Sequence, residues 1–237
     1  MLNSVKKKTT MPGLDILYRD EHFIVVNKPA GLFVHKSELD RRADYALHYV
    51  RDMAGCYVWP VHRLDRPTSG ILVFACSRDA AGALSHEFSE RRVEKTYLAV
   101  VRGYTLAEGV IDHPIASDKD SPSKHAVTAY TRLMTTELPY PVGPYDSARY
   151  SLVEVRPHTG RNHQIRRHFD HLFHPLIGDR VYGDGRHNRF IREHFGIERL
   201  LLAATSLFFT HPMTGHAICL NAPLALDMDH LIREMFV

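Results

Sequence analysis

The sequence predicts an α+β fold in which helices flank a largely antiparallel or mixed central sheet. Strand-like runs outnumber helical ones, they cluster without the regular strand–helix alternation of a parallel sheet, and amphipathic helical segments fall singly between and after them. Residues 1–13 are polar and end in Pro12-Gly13, so they read as a flexible tail, with one domain over 14–237. LDILYRDEHFIVVNKPAGLFVH (14–35) has two apolar runs split by Arg19-Asp20-Glu21, then the turn Lys28–Gly31 and a short third run, a β-meander. ILVFAC (71–76) is a strand. Ser77 then caps a helix ending near Arg91, with Ala80, Ala83, Leu84 and Phe88 on one face.

KTYLAVVRG (95–103), AVTAYTRLM (126–134) and YSLVEVRP (150–157) read as strands, separated by the polar loops HPIASDKDSPSKH and LPYPVGPYDS. Thr159 is placed to cap a helix over 161–173, whose residues Ile165, Phe169 and Leu172 are spaced i, i+4, i+7 and whose other faces carry Arg161, Arg166, Arg167, His168 and His171. LLAATSLFFTHP and HAICL form a last strand pair around Pro212–Gly215, and a C-terminal helix starts near Leu224.

A chain of 237 residues buries a core without disulfide or metal support. Cys56, Cys76 and Cys219 are odd in number and far apart, which predicts reduced packing residues in a cytoplasmic protein. No apolar run reaches the ~18 residues of a membrane span, and the start lacks a signal peptide's apolar core. Net charge is +3, yet 30 Lys and Arg with 17 His leave positive potential to concentrate on one face, where it draws phosphates.

Two constellations carry chemistry. In VHRLDRPTSG, Asp65 stands between Arg63 and Arg66 on a loop broken by Pro67 and Gly70. Such a carboxylate attacks an electrophile, binds a cation, or is half of a surface ion pair that contributes little; its spacing leaves all three open. In TGRNHQIRRHFDH, Arg161, Arg166 and Arg167 gather near a helix N-terminus and suit an anion, although Arg166 and Asp170 are also spaced i, i+4 as an ordinary exposed pair. His163, His168, His171 and His174 crowd together without a zinc motif, and neither GxGxxG nor GxxxxGK[ST] is present, so no metal and no cofactor are expected. A Ser69–His62–Asp65 triad is conceivable, but GxSxG is absent. Tyr97 reads as a core or rim tyrosine, or as a base-stacking platform.

VVNKPAGLFVH, HRLDRPTSGILVFA, EKTYLAVVRG, EVRPHTGRNHQIRRH and HPLIGDRVYG, in this order, resemble the blocks of the RluA-type pseudouridine synthases over nearly the whole chain from Leu14. The resemblance implies the pseudouridine synthase fold, with an active-site cleft across the sheet, and isomerisation of a uridine in RNA without cofactor or metal. It implies Asp65 as nucleophile, Arg166 as its partner, and Tyr97 and Arg63 as contacts to the target base or its phosphate. Arg161 and Arg167, with the arginines at 41–42 and 91–92, become candidates for phosphate contacts. The expected absence of the family's N-terminal RNA-binding domain, together with the run GDRVYGDGRHNRFIREHFGIERLLL (178–202), resembles the subgroup acting on the uridine at tRNA position 65. The expected partner is therefore tRNA, with a monomeric enzyme; ribosomal RNA is the alternative substrate, and a non-catalytic RNA-binding protein the alternative of another class. One departure is Ala203-Ala204, where the family often has His–Ala.

Overall fold

A computed structural model describes residues 14–34, 45–116 and 121–236. The expected tail and the arginines at 41–42 lie outside these residues. β1 (Asp15–Arg19) and β2 (Phe23–Lys28) form a hairpin closed by Asp20, whose Oδ1 accepts the His22 and Phe23 N–H groups at 2.7 and 2.6 Å. The expected third strand of a meander does not form. Pro29 has no N–H to give a ladder, Gly31 turns the chain at φ 86°, and Phe33 makes only an isolated bridge to Tyr45.

α1 (Ala46–Ala54) starts without a side-chain cap, so its sequence lacks the usual start signal. β3 (Trp59–Pro60) and β4 (Ser69–Ala75) follow, then α2 (Arg78–Ser89), where Ser77 Oγ accepts the Ala80 N–H as expected. β5 (Glu94–Arg102) leads to β6 (Glu108–Asp112). The region read as a polar loop contains a small sheet of β7 (Ile115–Ala116) and β8 (Ser123–Lys124). β9 (Val127–Leu138) and β10 (Ala148–Pro157) are long neighbours. α3 spans Gln164–His171, shorter than expected, and Thr159 does not cap it: the Thr159 hydroxyl donates to Gln164 Oε1, and His163 enters the helix at φ 54°. α4 (Gly185–Phe195), β11 (Leu202–Thr210), β12 (Ala217–Asn221) and α5 (Leu226–Phe236) complete the chain.

The main sheet runs β1-β2-β4-β11-β5-β10-β9-β6, with β12 on β11 and β3 on β4. Its pairs are antiparallel except β11 with β4, so the mixed α+β reading holds. Alternate residues of β2 and β4 face opposite ways: Ile24, Val26, Leu72 and Phe74 pack toward α1, and Phe23, Val25, Ile71 and Val73 toward α2. Burial on both faces is why β4 reads as an unbroken apolar run. In β5 and β10, Val100 and Leu152 face α4 and α5, while Ala99, Val101 and Val153 face α3.

The cysteines depart from expectation, since Cys56 and Cys219 are exposed and only Cys76 is half-buried. No helix among the described residues is long and apolar enough to cross a membrane.

Candidate active site

Register assembles the site. Ala204 of β11 pairs with Gly70 of β4 on one side and Tyr97 of β5 on the other, so the loop that precedes β4 lies two strands from Tyr97. β10 pairs Val155 with Tyr97 and then delivers its C-terminal loop and α3 to the same place. The resulting cleft of about 580 Å³ lies across the middle of the sheet and is lined by Asp65, Arg63, Tyr97, Arg161, His163 and Arg166, among others.

Arg166, only 4 % exposed, comes from the buried face of α3 and donates from Nη1 to Asp65 Oδ2 at 3.2 Å. It does not pair with Asp170. Its other side is held by Asp179, which accepts Nε at 2.7 Å and Nη2 at 2.8 Å and also takes the Val181 and Tyr182 N–H groups. Although burial pushes the Asp179 carboxyl up, these donors and the guanidinium outweigh it and hold the group below its ordinary range. The Arg166 guanidinium also lies over the Tyr182 ring, 5.2 Å from its centroid.

His163 Nδ1 meets the Tyr182 hydroxyl at 3.1 Å, and its Nε2 stands 3.9 Å from Asp65 Oδ2. Burial lowers the His163 pKa against the pull of Asp65, favouring the neutral ring. Burial and the Asp65 charge both push the Tyr97 phenol up, which keeps it protonated. His62 stacks on Phe88 with centroids 4.8 Å apart and accepts the Val73 N–H through Nε2; burial pushes it down to about 3, so it serves structure rather than a triad.

The flanking arginines divide. Arg63 is exposed and lines the cleft beside Asp65, whereas Arg66 turns away, donating from Nε to Gly31 O at 3.0 Å with its guanidinium 4.6 Å from the Phe33 centroid. Arg161 lies on the cleft wall and donates from Nε to His125 O. Arg167 is not on that wall: its Nη1 donates to Ala116 O at 2.6 Å, a bond that ties α3 to β7. Arg91 lines the cleft, while Arg92 is engaged by both oxygens of Glu87. Ala203 faces the core that contains Val100 and Ile177, away from the cleft lining.

Sequence reasoning passed over three contributors. Asp179 has no marker in its spacing, and His163 is hidden among other histidines. Lys28, read as a turn residue, is fully buried and donates from Nζ to the carbonyls of Pro29, Leu32 and Arg66, stapling the Asp65 loop to the turn after β2.

A family model described as RNA pseudouridylate synthase matches residues 22–171, which include Asp65, Tyr97 and Arg166. The chain belongs to the RNA pseudouridylate synthase family. It is 49 % identical over 220 residues to tRNA pseudouridine synthase C of Pasteurella multocida (strain Pm70), covering 88 % of this chain and 90 % of that protein. The protein of the same name from Vibrio cholerae serotype O1 is 45 % identical, with 93 % and 95 % covered. Among solved structures, human RNA pseudouridylate synthase domain containing 1 is similar with a TM-score of 0.72 at 27 % identity, over 95 % of this chain and 97 % of that one. The likeness to these relatives thus extends beyond the matched family block, to 93 % and 95 % of this chain.

Proposed function

We propose that the chain converts uridine to pseudouridine in tRNA, at position 65, with Asp65 as the nucleophile; the shared number is accidental. The observation that carries the reading is one carboxylate at the floor of a cleft, aimed by Arg166, which Asp179 fixes from behind. The relatives named tRNA pseudouridine synthase C support tRNA as the substrate, and the similarity of residues 178–202 to the position-65 subgroup supports the site within it.

The isomerisation breaks the C1′–N1 bond, turns the uracil and joins C1′ to C5; the C5 hydrogen leaves as a proton and N1 gains one. Electrons balance within the nucleotide, so the step requires no oxidant and no group donor. Asp65 supplies a covalent handle on the ribose or the ring. Tyr97, kept neutral beside it, offers an aromatic face for the base. A stem uridine must first leave the stack, at a cost of a few kcal/mol that stacking and phosphate contacts offset. Arg63, Arg91 and Arg161 on the cleft wall are placed for those phosphates.

Asp65→Asn keeps the shape and loses the nucleophile. The expected result is no detectable pseudouridine with tRNA affinity within about threefold of wild type, since the affinity comes mainly from phosphate contacts that the substitution leaves in place; turnover by the variant refutes the role. Pseudouridine mapping in cells without the gene tests the substrate. Loss at tRNA position 65 is expected, and an intact position 65 beside a lost ribosomal site would transfer the activity to ribosomal RNA.

A further inference from the structure

Asp65 opens onto a second cavity, about 690 Å³, on the side of its loop formed by the turn after β2 and the segment after Gly178. Both cavities have the size of small-ligand sites, and Arg63, Asp65, His163 and Arg166 belong to the walls of both. The second one combines apolar and cationic surface. Val181 is 66 % exposed in it, and Arg66 is held over the Phe33 ring, its guanidinium carbon 4.6 Å from the centroid, with its Nε fixed to Gly31 O. Neither Nη nitrogen of Arg66 has a partner among the described residues. A guanidinium immobilised on an aromatic ring presents its other face as a planar cation, a surface on which an RNA base stacks.

We infer that this second cavity holds the nucleotide adjoining the target uridine, with its base stacked on the Arg66–Phe33 platform next to Val181. This rests on the proposed reaction, with the target in the first cavity at Asp65 and Tyr97. The covalent geometry of RNA supports it: a uridine drawn into the first cavity brings its neighbour along, and the two cavities adjoin at Arg63 and Asp65, which lie on both walls. Arg63, exposed at that shared wall, is placed for the phosphate between the two nucleotides. The platform is a specificity element, since it engages a base that takes no part in the chemistry.

The test uses the full chain and tRNA assembled from half-molecules, either intact or with one abasic ribose directly 5′ or directly 3′ of the target. On intact tRNA, Arg66→Ala and Arg66→Lys are both expected to raise KM about tenfold with kcat nearly unchanged, as for loss of one stacking contact; the lysine keeps the charge but not the plane. One of the two abasic tRNAs is expected to raise the wild-type KM by a similar factor, and on that RNA the Arg66 variants add no further loss. The inference is overturned if Arg66→Lys restores wild-type KM, which makes the contact purely electrostatic, or if the variant and abasic penalties multiply on both RNAs. Absence of pseudouridine from wild type on intact tRNA would instead strike the proposed reaction itself.

Discussion

Arg166 divides its N–H groups between two carboxylates, one buried and one at the cleft floor, and the division sets the presentation of Asp65. Asp179 takes Nε and Nη2 in a bidentate fork, leaving Nη1 for Asp65. A bidentate partner fixes the plane of the guanidinium, so Asp65 faces a donor whose direction does not drift. Asp179→Asn removes the charge that balances a buried cation. The expected stability loss is about 3 kcal/mol, from breaking a buried pair. In addition kcat should fall about 10²-fold while KM stays within about threefold, because a small misplacement near the reacting atoms has that effect. A kcat equal to wild type, measured by single-turnover kinetics on folded protein, would reduce Asp179 to a purely structural group.

At the scale of elements, the contact of β4 with β11 places the nucleophile loop. Gly70 sits at φ 109°, and a Cβ there would lie 2.1 Å from Ala204 O. The TSG of VHRLDRPTSG is therefore a steric requirement: only glycine lets the parallel pair Ala203↔Ser69 and Ala204↔Gly70 close. Gly70→Ala should lower stability by about 3 kcal/mol or more, from backbone strain plus the collision. Denaturant titration reads this directly, and an unchanged midpoint contradicts the close approach. Arg199 reinforces the same junction, donating from Nη2 to Ser69 Oγ at 2.6 Å and from Nη1 to Asp227 Oδ1 of α5 at 3.2 Å.

Across the whole molecule, buried and half-buried histidines contribute to the response between neutral pH and pH 5. Burial pushes His62 down to about 3 and lowers His163, His168 and His187 as well. The neutral form of His168 is built in, because its Nε2–H donates to His113 O and its Nδ1 accepts from the Thr128 hydroxyl, whose oxygen already accepts from Gln164 Nε2. Between the free imidazole value of about 6.5 and the lower folded values, the unfolded chain takes up protons that the folded one refuses, so stability falls as pH falls. For His62 the loss at pH 5 is at most about 2 kcal/mol. Urea midpoints should drop from pH 7.5 to pH 5.0 with unchanged m; a midpoint that rises contradicts the histidine account. Lys28, pulled down to about 7 by burial, acts in the same direction but above that window, between about 7 and its ordinary value.

The amino-acid pattern alone determined β1, β2, β4, β5 and β9 to β12, though not the short β3 or β6 to β8, together with the cap at Ser77, the mixed α+β class and the order of blocks that marks the family, because period-2 and period-3.6 burial and side-chain caps are local properties. It also singled out Asp65, Tyr97, Arg63 and Arg166, which the fold brings to one cleft. Only the tertiary structure decided which ion pairs form. Arg166 and Asp65 are 101 positions apart and meet because β4, β11, β5 and β10 are neighbours in the sheet, whereas the adjacent Arg66 turns to Phe33 and Arg167 to Ala116. The late start of α3, the failed third strand and the roles of Asp179 and Lys28 share that origin. A charged side chain pairs with whatever partner the packed backbone sets within hydrogen-bond reach, and nearness along the chain does not specify that partner.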